Sequence, residues 1–418
     1  MGPPDRVEGV FRNPAFRLYW LGNSISQVGS RVTTVALPLV AVLELDASVA
    51  QVGLLQAVVF LPYLLVSMPA GLLADRVRRR PLMIGADLGR AALLALVPLG
   101  MVAGWLDMSV LVAVAFTVGA LTVLFDVCYL SALPWLVGRE QLMPANAALE
   151  VSRSVAQVAG PGLAGVLVAA VKASGAVVAT VVSYLVSAAA LAAIRRPEPA
   201  VQADEESGRL SALMAGWTQV LRSPLLRPQA AHLLVGNVVF GAYQAILVVF
   251  MVRGLGLSGF AVGVTLGIAN LGVIVGAMVS SQIGRRIGLG RLVILATVLE
   301  AAGLAVVAAA PASDAVPVLV PGQALAGFAI ALFNLQSLTL RQTVTPPALL
   351  ARVNAVVRLL SFGVIPLGAA AGGWLAEEVG IRQVLVALVL MKLASVLIPL
   401  TTALGRIVET PDTEPVWR

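Results

Sequence analysis

Apolar segments of about twenty residues recur along nearly the whole chain, and they constrain the fold more than any other feature. A bilayer core roughly 30 Å thick needs about 20 apolar residues of helix, because no water is available there to satisfy an irregular backbone. Charged residues are only 12% of the 418, too few to cover a water-soluble globule of this size. We therefore expect an all-α membrane protein with twelve transmembrane helices. The predicted spans are 16–42, 50–74, 82–105, 109–136, 147–171, 175–194, 229–252, 259–283, 292–310, 316–340, 353–376 and 381–404.

Lysine and arginine are distributed unequally between alternate loops. With the N-terminus assigned to the cytoplasm, 19 of the 28 basic residues fall in cytoplasmic segments. Only Lys172 and Arg253 fall in outer loops, and Arg382 lies at the outer end of the last span. Because basic loops are retained in the cytoplasm, we expect a multi-pass protein of the cell (cytoplasmic) membrane, embedded in lipid, with both termini inside. The net charge of +7 then reflects topology and does not indicate binding to nucleic acid.

The two halves of the chain repeat each other. Gly22-Asn23 recurs as Gly236-Asn237, and Asn146-Ala147 recurs as Asn354-Ala355. With six spans in each half the repeat is parallel, an arrangement of transporters that rock two bundles about a central site. We predict an N-terminal six-helix bundle at 1–194, a cytoplasmic linker at 195–228 that carries an amphipathic stretch, a C-terminal six-helix bundle at 229–405 and a cytoplasmic tail at 406–418.

Several polar residues lie inside the predicted spans, and those of the first span share one helical face. Such a stripe indicates a face toward a wet cavity, while hydrogen bonding between helices is the alternative. The seventh span carries a similar set. The candidate substrate-cavity residues are Asn23, Gln27, Ser30, Arg31, Thr34, Asp126, Asn237, Tyr243, Gln244 and Asn334.

Arg31 and Asp126 lie near the middle of the first and fourth spans, at depths that a long arginine side chain can bridge. We predict that they pair across the cavity. An acid whose protonation depends on a neighbouring cation can exchange a proton for substrate, so both residues are coupling candidates. A static salt bridge that only neutralises two charges is the other interpretation.

Four other charges within the spans have near neighbours of opposite sign. Asp87 and Arg90 are three residues apart in the third span, as are Glu150 and Arg153 in the fifth, so each pair can form on one helix.

Three titratable residues lack such a neighbour. Glu300 and Lys392 have no partner nearby in sequence, and a structural or interface role is expected for Glu300. His232, the only histidine, lies near the start of the seventh span. We expect it at the membrane interface, with a proton-relay role as the alternative.

The sequence also argues against several chemistries. One cysteine and one histidine exclude an intrachain disulfide and a multi-cysteine or histidine-rich metal site. No nucleotide-binding glycine loop of the Gly-x-x-x-x-Gly-Lys-Ser/Thr type is present. We therefore expect no enzyme activity, no metal and no cofactor.

The loop after the second span reads Gly-Leu-Leu-Ala-Asp-Arg-Val-Arg-Arg-Arg-Pro from residue 71 to residue 81. It resembles the signature loop of the major facilitator superfamily, except that Arg78 stands where that family usually has a small residue. The resemblance implies two six-helix bundles whose first and seventh helices line a central cavity. We expect Gly71 to allow close packing of two helices. The residues that match the family's gating loop are Gly71, Asp75, Arg76, Arg79 and Arg80.

A second motif, Gly-Pro-Gly-Leu-Ala-Gly at 160–165, lies in the fifth span. It resembles the Gly-Pro motif of the antiporter branch of the superfamily, with Ala164 in place of a usual glycine. Gly160, Pro161 and Gly165 are the predicted helix-packing residues, and ordinary packing without any role in export is the alternative.

The opening stretch at 11–22 and the stretch from Asn146 to Pro161 resemble the bacterial branch that includes siderophore (enterobactin-type) and macrolide exporters. This resemblance implies a secondary active transporter that exports small amphipathic compounds by alternating access, with protons as coupling ion and a monomer as the working unit. The alternatives are a proton-coupled importer of a small metabolite and a non-transporting scaffold or sensor.

Overall fold

The computed structural model describes residues 7–74, 76–198 and 209–407. The secondary structure of these residues is helical throughout, without any strand, which confirms the predicted all-α class. The chain divides into two compact units. Unit 1 comprises residues 1–47, 58–205 and 258–267, and unit 2 comprises 48–57, 206–257 and 268–418.

Fifteen α-helices are present in the described residues. The first six are α1 (Pro14–Leu43), α2 (Val49–Leu65), α3 (Ser67–Ala74), α4 (Arg79–Ala103), α5 (Met108–Val137) and α6 (Leu142–Ala193). The others are α7 (Arg209–Arg222), α8 (Leu226–Val249), α9 (Gly259–Ala269), α10 (Leu271–Ile287), α11 (Leu289–Ala309), α12 (Ala315–Val344), α13 (Pro347–Val379), α14 (Ile381–Ala394) and α15 (Leu397–Thr401). Helix α7 corresponds to the amphipathic stretch predicted in the linker.

Ten helices in the described part of the chain are long and apolar enough to cross a membrane, and α2 with α3, bent by 44°, adds an eleventh. The bend follows from Pro69, which has no amide hydrogen for the carbonyl of Leu65 and pushes that carbonyl away.

Helix α6 is counted once, although its 52 residues leave the helical conformation at Val171 and Lys172. This break lies where the sequence predicts the boundary between the fifth and sixth spans. The predicted number of twelve is reached only if the two arms of α6 are counted separately.

Unit 1 is built around the contact between α1 and α6. Asn13 begins α1, because its side-chain oxygen accepts hydrogen bonds from the amides of Ala15 and Phe16 at 3.0 and 3.3 Å. Along the contact, Thr180 of α6 donates to the carbonyl oxygen of Gly29 at 2.9 Å and accepts from Thr33 at 2.8 Å. Small residues and paired hydroxyls thus allow two membrane helices to approach closely.

In unit 2, α8 packs on α13, and α11 packs on α12 and α14. One close approach within each unit depends on a pair of glycines. Gly53 of α2 lies against Gly373 of α13 in unit 2, and Gly165 of α6 lies against Gly263 of α9 in unit 1. In the internal repeat, Val52-Gly53 recurs as Val262-Gly263 and Gly165 recurs as Gly373, so the two contacts are equivalent.

Candidate functional site

The polar face of α1 in unit 1 is held by side chains from two other helices. Asn23 is buried, and its Nδ2 donates to the hydroxyl of Tyr129 at 3.1 Å. The Tyr129 ring stacks on Tyr19 with 5.2 Å between centroids, and the Tyr19 hydroxyl donates to the carbonyl oxygen of Tyr129 at 2.7 Å. The amide of Asn23 is therefore fixed against α5.

Further along the same face, the hydroxyls of Ser30 and Tyr184 of α6 lie 3.0 Å apart. The hydroxyl of Thr34 is exposed and donates to the carbonyl oxygen of Ser30 at 2.9 Å. Gln27 is half-buried. Hydrogen bonds between helices thus hold the Nδ2 of Asn23 and the hydroxyl of Ser30. The buried Oδ1 of Asn23 makes no hydrogen bond to protein, and Gln27 and Thr34 keep exposed surface.

The coupling candidates Arg31 and Asp126 lie within electrostatic range of each other in unit 1. Tyr63 of α2, which the sequence does not single out, donates its hydroxyl hydrogen to Oδ2 of Asp126 at 3.5 Å. Arg31 interacts electrostatically with Tyr63, Asp126 and Arg153, and Tyr63 in turn interacts with Asp126 and Arg31, so these two opposite charges lie near one tyrosine hydroxyl. The sequence signal for Tyr63 is a polar side chain in another span at the same depth as Asp126.

Gly160 of the Gly-Pro motif explains how Arg31 fits between α1 and α6. A Cβ atom on Gly160 would overlap the Cβ of Arg31, whereas Gly162 has no atom of another residue within 4 Å of the same position. Gly160 therefore provides the space that the Arg31 stem occupies.

Two ion pairs expected from their spacing are present. Asp87 and Arg90 form a fully buried pair, and the Arg90 guanidinium lies 4.5 Å and 4.2 Å from the ring centroids of Phe125 and Tyr184. Arg153 and Glu150 are 3.6 Å apart and mostly exposed. The first pair ties α4 to α5 and α6, because the aromatic faces attract the cation.

The candidate residues of unit 2 are placed differently. The Asn237 Nδ2 and the Tyr243 hydroxyl are buried and make no hydrogen bond to protein. Gln244 is half-buried and Asn334 is exposed. Unpartnered polar atoms in an apolar setting are costly, so these two groups are available to a ligand or to water.

Glu300 and Lys392, which have no partner nearby in sequence, are partners of each other in the structure. Lys392 Nζ of α14 lies 2.7 Å from Oε2 of Glu300 of α11, and both side chains are buried. His232, expected at the interface, is 1% exposed and is held inside unit 2. The sequence could not pair residues on helices that are far apart along the chain.

The signature loop lies where the start of α4 meets the end of α6. Glu198 accepts hydrogen bonds from the amides of Arg79 and Arg80 at 2.7 and 3.1 Å, and so caps α4. The Arg80 side chain donates to the last carbonyl groups of α6, at Leu191 and Ala192. The loop therefore fastens the first residues of the linker.

The other members of the predicted gating loop are less informative. Arg76 is exposed, and Asp75 lies outside the described residues. No described residue lies within 4 Å of the position that a Cβ on Gly71 would take. The expectation that Gly71 allows two helices to pack closely is therefore wrong.

The described surface of unit 1 also has a groove of about 370 Å³ between α1 and α6, lined by Ile25, Val28, Val32 and Leu163 among others. It lies on the opposite side of α1 from the polar stripe. The described residues contain no group of three or more His, Cys, Asp or Glu placed to hold a metal ion.

Comparison with known families decides what kind of membrane protein carries these features. The family described as "Transmembrane secretion effector", a branch of the major facilitator superfamily, matches residues 9–416. The chain belongs to the major facilitator superfamily. Membership in the superfamily makes the protein a multi-pass membrane transporter of small molecules, and not an enzyme.

Curated relatives of the chain include enterobactin exporters. The chain is 29% identical over 369 residues to the enterobactin exporter EntS of Salmonella typhimurium, which covers 82% of this chain and 81% of the relative. It is 27% identical over 362 residues to EntS of Escherichia coli O1:K1, with the same coverage. These matches support the siderophore-exporter branch that the motifs resemble.

Solved superfamily structures share the fold. A bacterial homologue of the iron transporter ferroportin in an inward-facing state has a TM-score of 0.73 at 16% identity, covering 93% of this chain and 98% of its own. The nucleoside transporter NupG has a TM-score of 0.73 at 11% identity, with the same two coverages.

Proposed function

We propose that the protein is a proton-coupled exporter of small amphipathic compounds, of the siderophore, macrolide or drug type, that works by alternating access. The named relatives are enterobactin exporters, which supports export and a cargo of the siderophore type. We further propose that it acts as a monomer in the cytoplasmic membrane with both termini in the cytoplasm.

The observation that carries the proposal is the group of Arg31, Tyr63 and Asp126. An ionised side chain inside a bilayer costs roughly 2.5 kcal/mol or more, so the charge of Asp126 depends on its neighbours. A charged Asp126 attracts Arg31 and accepts the hydrogen bond of Tyr63. Protonation of the carboxylate removes that attraction and frees the guanidinium for a polar group of the cargo.

Polar groups without fixed charge supply the remaining recognition. Asn23, Gln27 and Thr34 in unit 1, and Asn237 and Tyr243 in unit 2, offer amides and hydroxyls beside apolar side chains. Such a set suits cargoes that combine aromatic surface with a few hydrogen-bonding groups, and it suits a strongly charged metabolite poorly.

Everted membrane vesicles test the coupling step. In wild type, accumulation of a catecholate siderophore or a macrolide should depend on an imposed pH gradient. Asp126→Asn should lose this dependence. Tyr63→Phe should weaken it, because Asp126 then loses a hydrogen-bond donor that stabilises its charged form. The control is Asp107→Asn on the same helix, where the side chain caps α5 by accepting from the Val110 amide at 2.8 Å and Asn caps equally well.

Three outcomes would contradict parts of the proposal. Unchanged coupling in Asp126→Asn would remove Asp126 from the mechanism. Accumulation only in right-side-out vesicles would make the protein an importer. Binding without any flux would favour a scaffold.

A further inference from the structure

A groove of about 370 Å³ runs along α1 in unit 1, on the side of the helix opposite its polar stripe. Its floor is formed by Gly29 and Val32 of α1 and by Ser183 of α6, which are all buried. A Cβ atom on Gly29 would overlap the Ser183 hydroxyl, so this glycine lets the two helices meet at the floor. The volume lies within the range of about 300–1,000 Å³ that is usual for ligand pockets.

The walls of the groove are mostly hydrocarbon. They are formed by Ser24, Ile25, Val28, Leu163 and Ala179. The two serines that line the groove both donate their hydroxyl hydrogens within their own helices. Ser24 donates to the carbonyl oxygen of Trp20, and Ser183 donates to that of Thr180, each at 2.7 Å. Because these described lining residues offer no free hydrogen-bond donor, the groove suits an apolar occupant.

The same face of α1 continues to a cation near the start of the helix. Arg17, Leu21 and Val28 are separated by four and seven residues, so they lie on one line along the helix. Leu21 is 46% exposed and extends the apolar surface from the groove toward Arg17. The Arg17 side chain is exposed, and within the described residues no carboxylate lies in ion-pair range of it. An occupant with a negative head and an apolar tail would match both features.

The distance between Arg17 and the groove matches the depth of one lipid leaflet. Val28 is eleven residues after Arg17, which corresponds to about 16 Å at a rise of 1.5 Å per residue. The hydrocarbon of one leaflet is about 15 Å deep, half of a bilayer core of about 30 Å. Arg17 also lies next to the predicted start of the first span, where lipid headgroups meet the hydrocarbon. An acyl chain that begins beside Arg17 therefore ends in the groove at Val28.

We propose that the groove and Arg17 form a binding site for one anionic phospholipid. The acyl chain lies along Leu21 and Val28 and over the floor at Gly29. The Arg17 guanidinium pairs with the phosphate of the headgroup. With the N-terminus in the cytoplasm, the lipid comes from the cytoplasmic leaflet, which is rich in anionic lipids. This choice of leaflet rests on the proposed orientation, whereas lipid binding itself requires neither that orientation nor transport.

Native mass spectrometry of the full chain in detergent tests the role of the headgroup. The probes are phosphatidylglycerol, which is anionic, and phosphatidylcholine with the same acyl chains, which has no net charge. We expect one phosphatidylglycerol to bind more tightly than phosphatidylcholine. Arg17→Gln should weaken phosphatidylglycerol binding about fivefold, the contribution of one arginine beside an anionic lipid surface, and leave phosphatidylcholine binding unchanged. The matched control is Arg222→Gln, at an exposed arginine of α7 in unit 2, which should bind phosphatidylglycerol as wild type does.

A bulkier side chain in the groove tests the site of the acyl chain. Val28→Phe fills the space that the chain would occupy, so it should weaken the binding of both lipids. Val182→Phe makes the same change on the exposed face of α6, outside the groove lining, and should bind both lipids as wild type does. Thermal unfolding without added lipid shows whether each variant is folded. If Val28→Phe does not fold, Leu163→Trp at the exposed rim replaces it, since Leu163 is 41% exposed.

Two sets of results would overturn the proposal. Equal binding of the two lipids by wild type, or equal losses in Arg17→Gln and Arg222→Gln, would show that Arg17 does not recognise the headgroup charge. Unchanged binding in the variant that fills the groove, or the same loss in Val182→Phe, would show that lipids cover the protein without using the groove. Neither result depends on export, which is tested separately by flux in vesicles.

Discussion

Gly160 faces Arg31 at the contact of α1 with α6, and the absence of a side chain at Gly160 leaves room for the Arg31 side chain. A charged side chain in a membrane helix needs both partners and space, and Gly160 provides the space while Asp126 and Tyr63 provide the electrostatic partners. The spacing of the Gly-Pro motif predicts close packing, but it does not predict which residue is packed. That information depends on how α1 and α6 cross.

Gly160→Ala should destabilise the protein by about 1–3 kcal/mol, because the added methyl group must displace Arg31 or separate two helices that are otherwise tightly packed. The measurement is thermal unfolding of the purified protein in detergent. Gly162→Ala, two residues away with open space around the new Cβ, should unfold at nearly the wild-type temperature. Equal unfolding temperatures for Gly160→Ala and Gly162→Ala would show that the packing of α1 on α6 does not depend on a glycine at position 160.

At the scale of elements, helix ends in unit 1 are fastened by charged side chains of the loops. Glu198 caps the start of α4, and Arg80 caps the end of α6. Nearby, Arg196 donates to the carbonyl oxygen of Leu136 at 2.7 Å, at the end of α5. A carboxylate at a helix start and an arginine at a helix end both complement the helix dipole. The basic loop thus has a structural role as well as a topological one.

Glu198→Ala should cost about 1 kcal/mol, since two amide hydrogens of α4 lose their acceptor. Hydrogen exchange followed by mass spectrometry should show faster exchange at the first turn of α4, while the start of α11 keeps its rate as an internal reference. Glu198→Gln keeps one acceptor oxygen and should show a smaller effect. An unchanged rate in Glu198→Ala would mean that the cap contributes nothing in the membrane.

Ion pairs within one helix can be predicted from the sequence, but ion pairs between helices cannot. The pairs Asp87–Arg90 and Glu150–Arg153 follow from helix periodicity, because residues three apart share a face. The pair Glu300–Lys392 joins two helices that are distant in sequence, so its formation depends on which helices become neighbours.

For the whole molecule, the distribution of basic residues implies a direction across the membrane. In unit 1 the arginines of the signature loop and of the linker start lie together at the ends of α4, α5 and α6. The break in α6 lies elsewhere, next to Glu44, which accepts from the Ser174 amide at 2.8 Å. The positive-inside rule predicts that the arginine-rich end is cytoplasmic.

Cysteine labelling tests this orientation. Cys128 is fully buried, so Cys128→Ala gives a background without reactive thiols. In that background, Lys172→Cys and Ser313→Cys should react with a membrane-impermeant maleimide in intact cells. Arg78→Cys and Arg222→Cys should react only after the membrane is permeabilised. The reverse pattern would place both termini outside.

The sequence by itself determined the helical class, the membrane location, the internal repeat and the superfamily. These follow from local properties, namely the length of apolar runs, the bias of loop charges and a short motif. Only the tertiary structure decided that Tyr63 bonds to Asp126, that Gly160 accommodates Arg31, and that Glu300 and Lys392 form a buried ion pair. The physical reason is that a buried polar group takes whichever partner the packing of distant helices brings within hydrogen-bond distance, and helix periodicity contains no record of that packing.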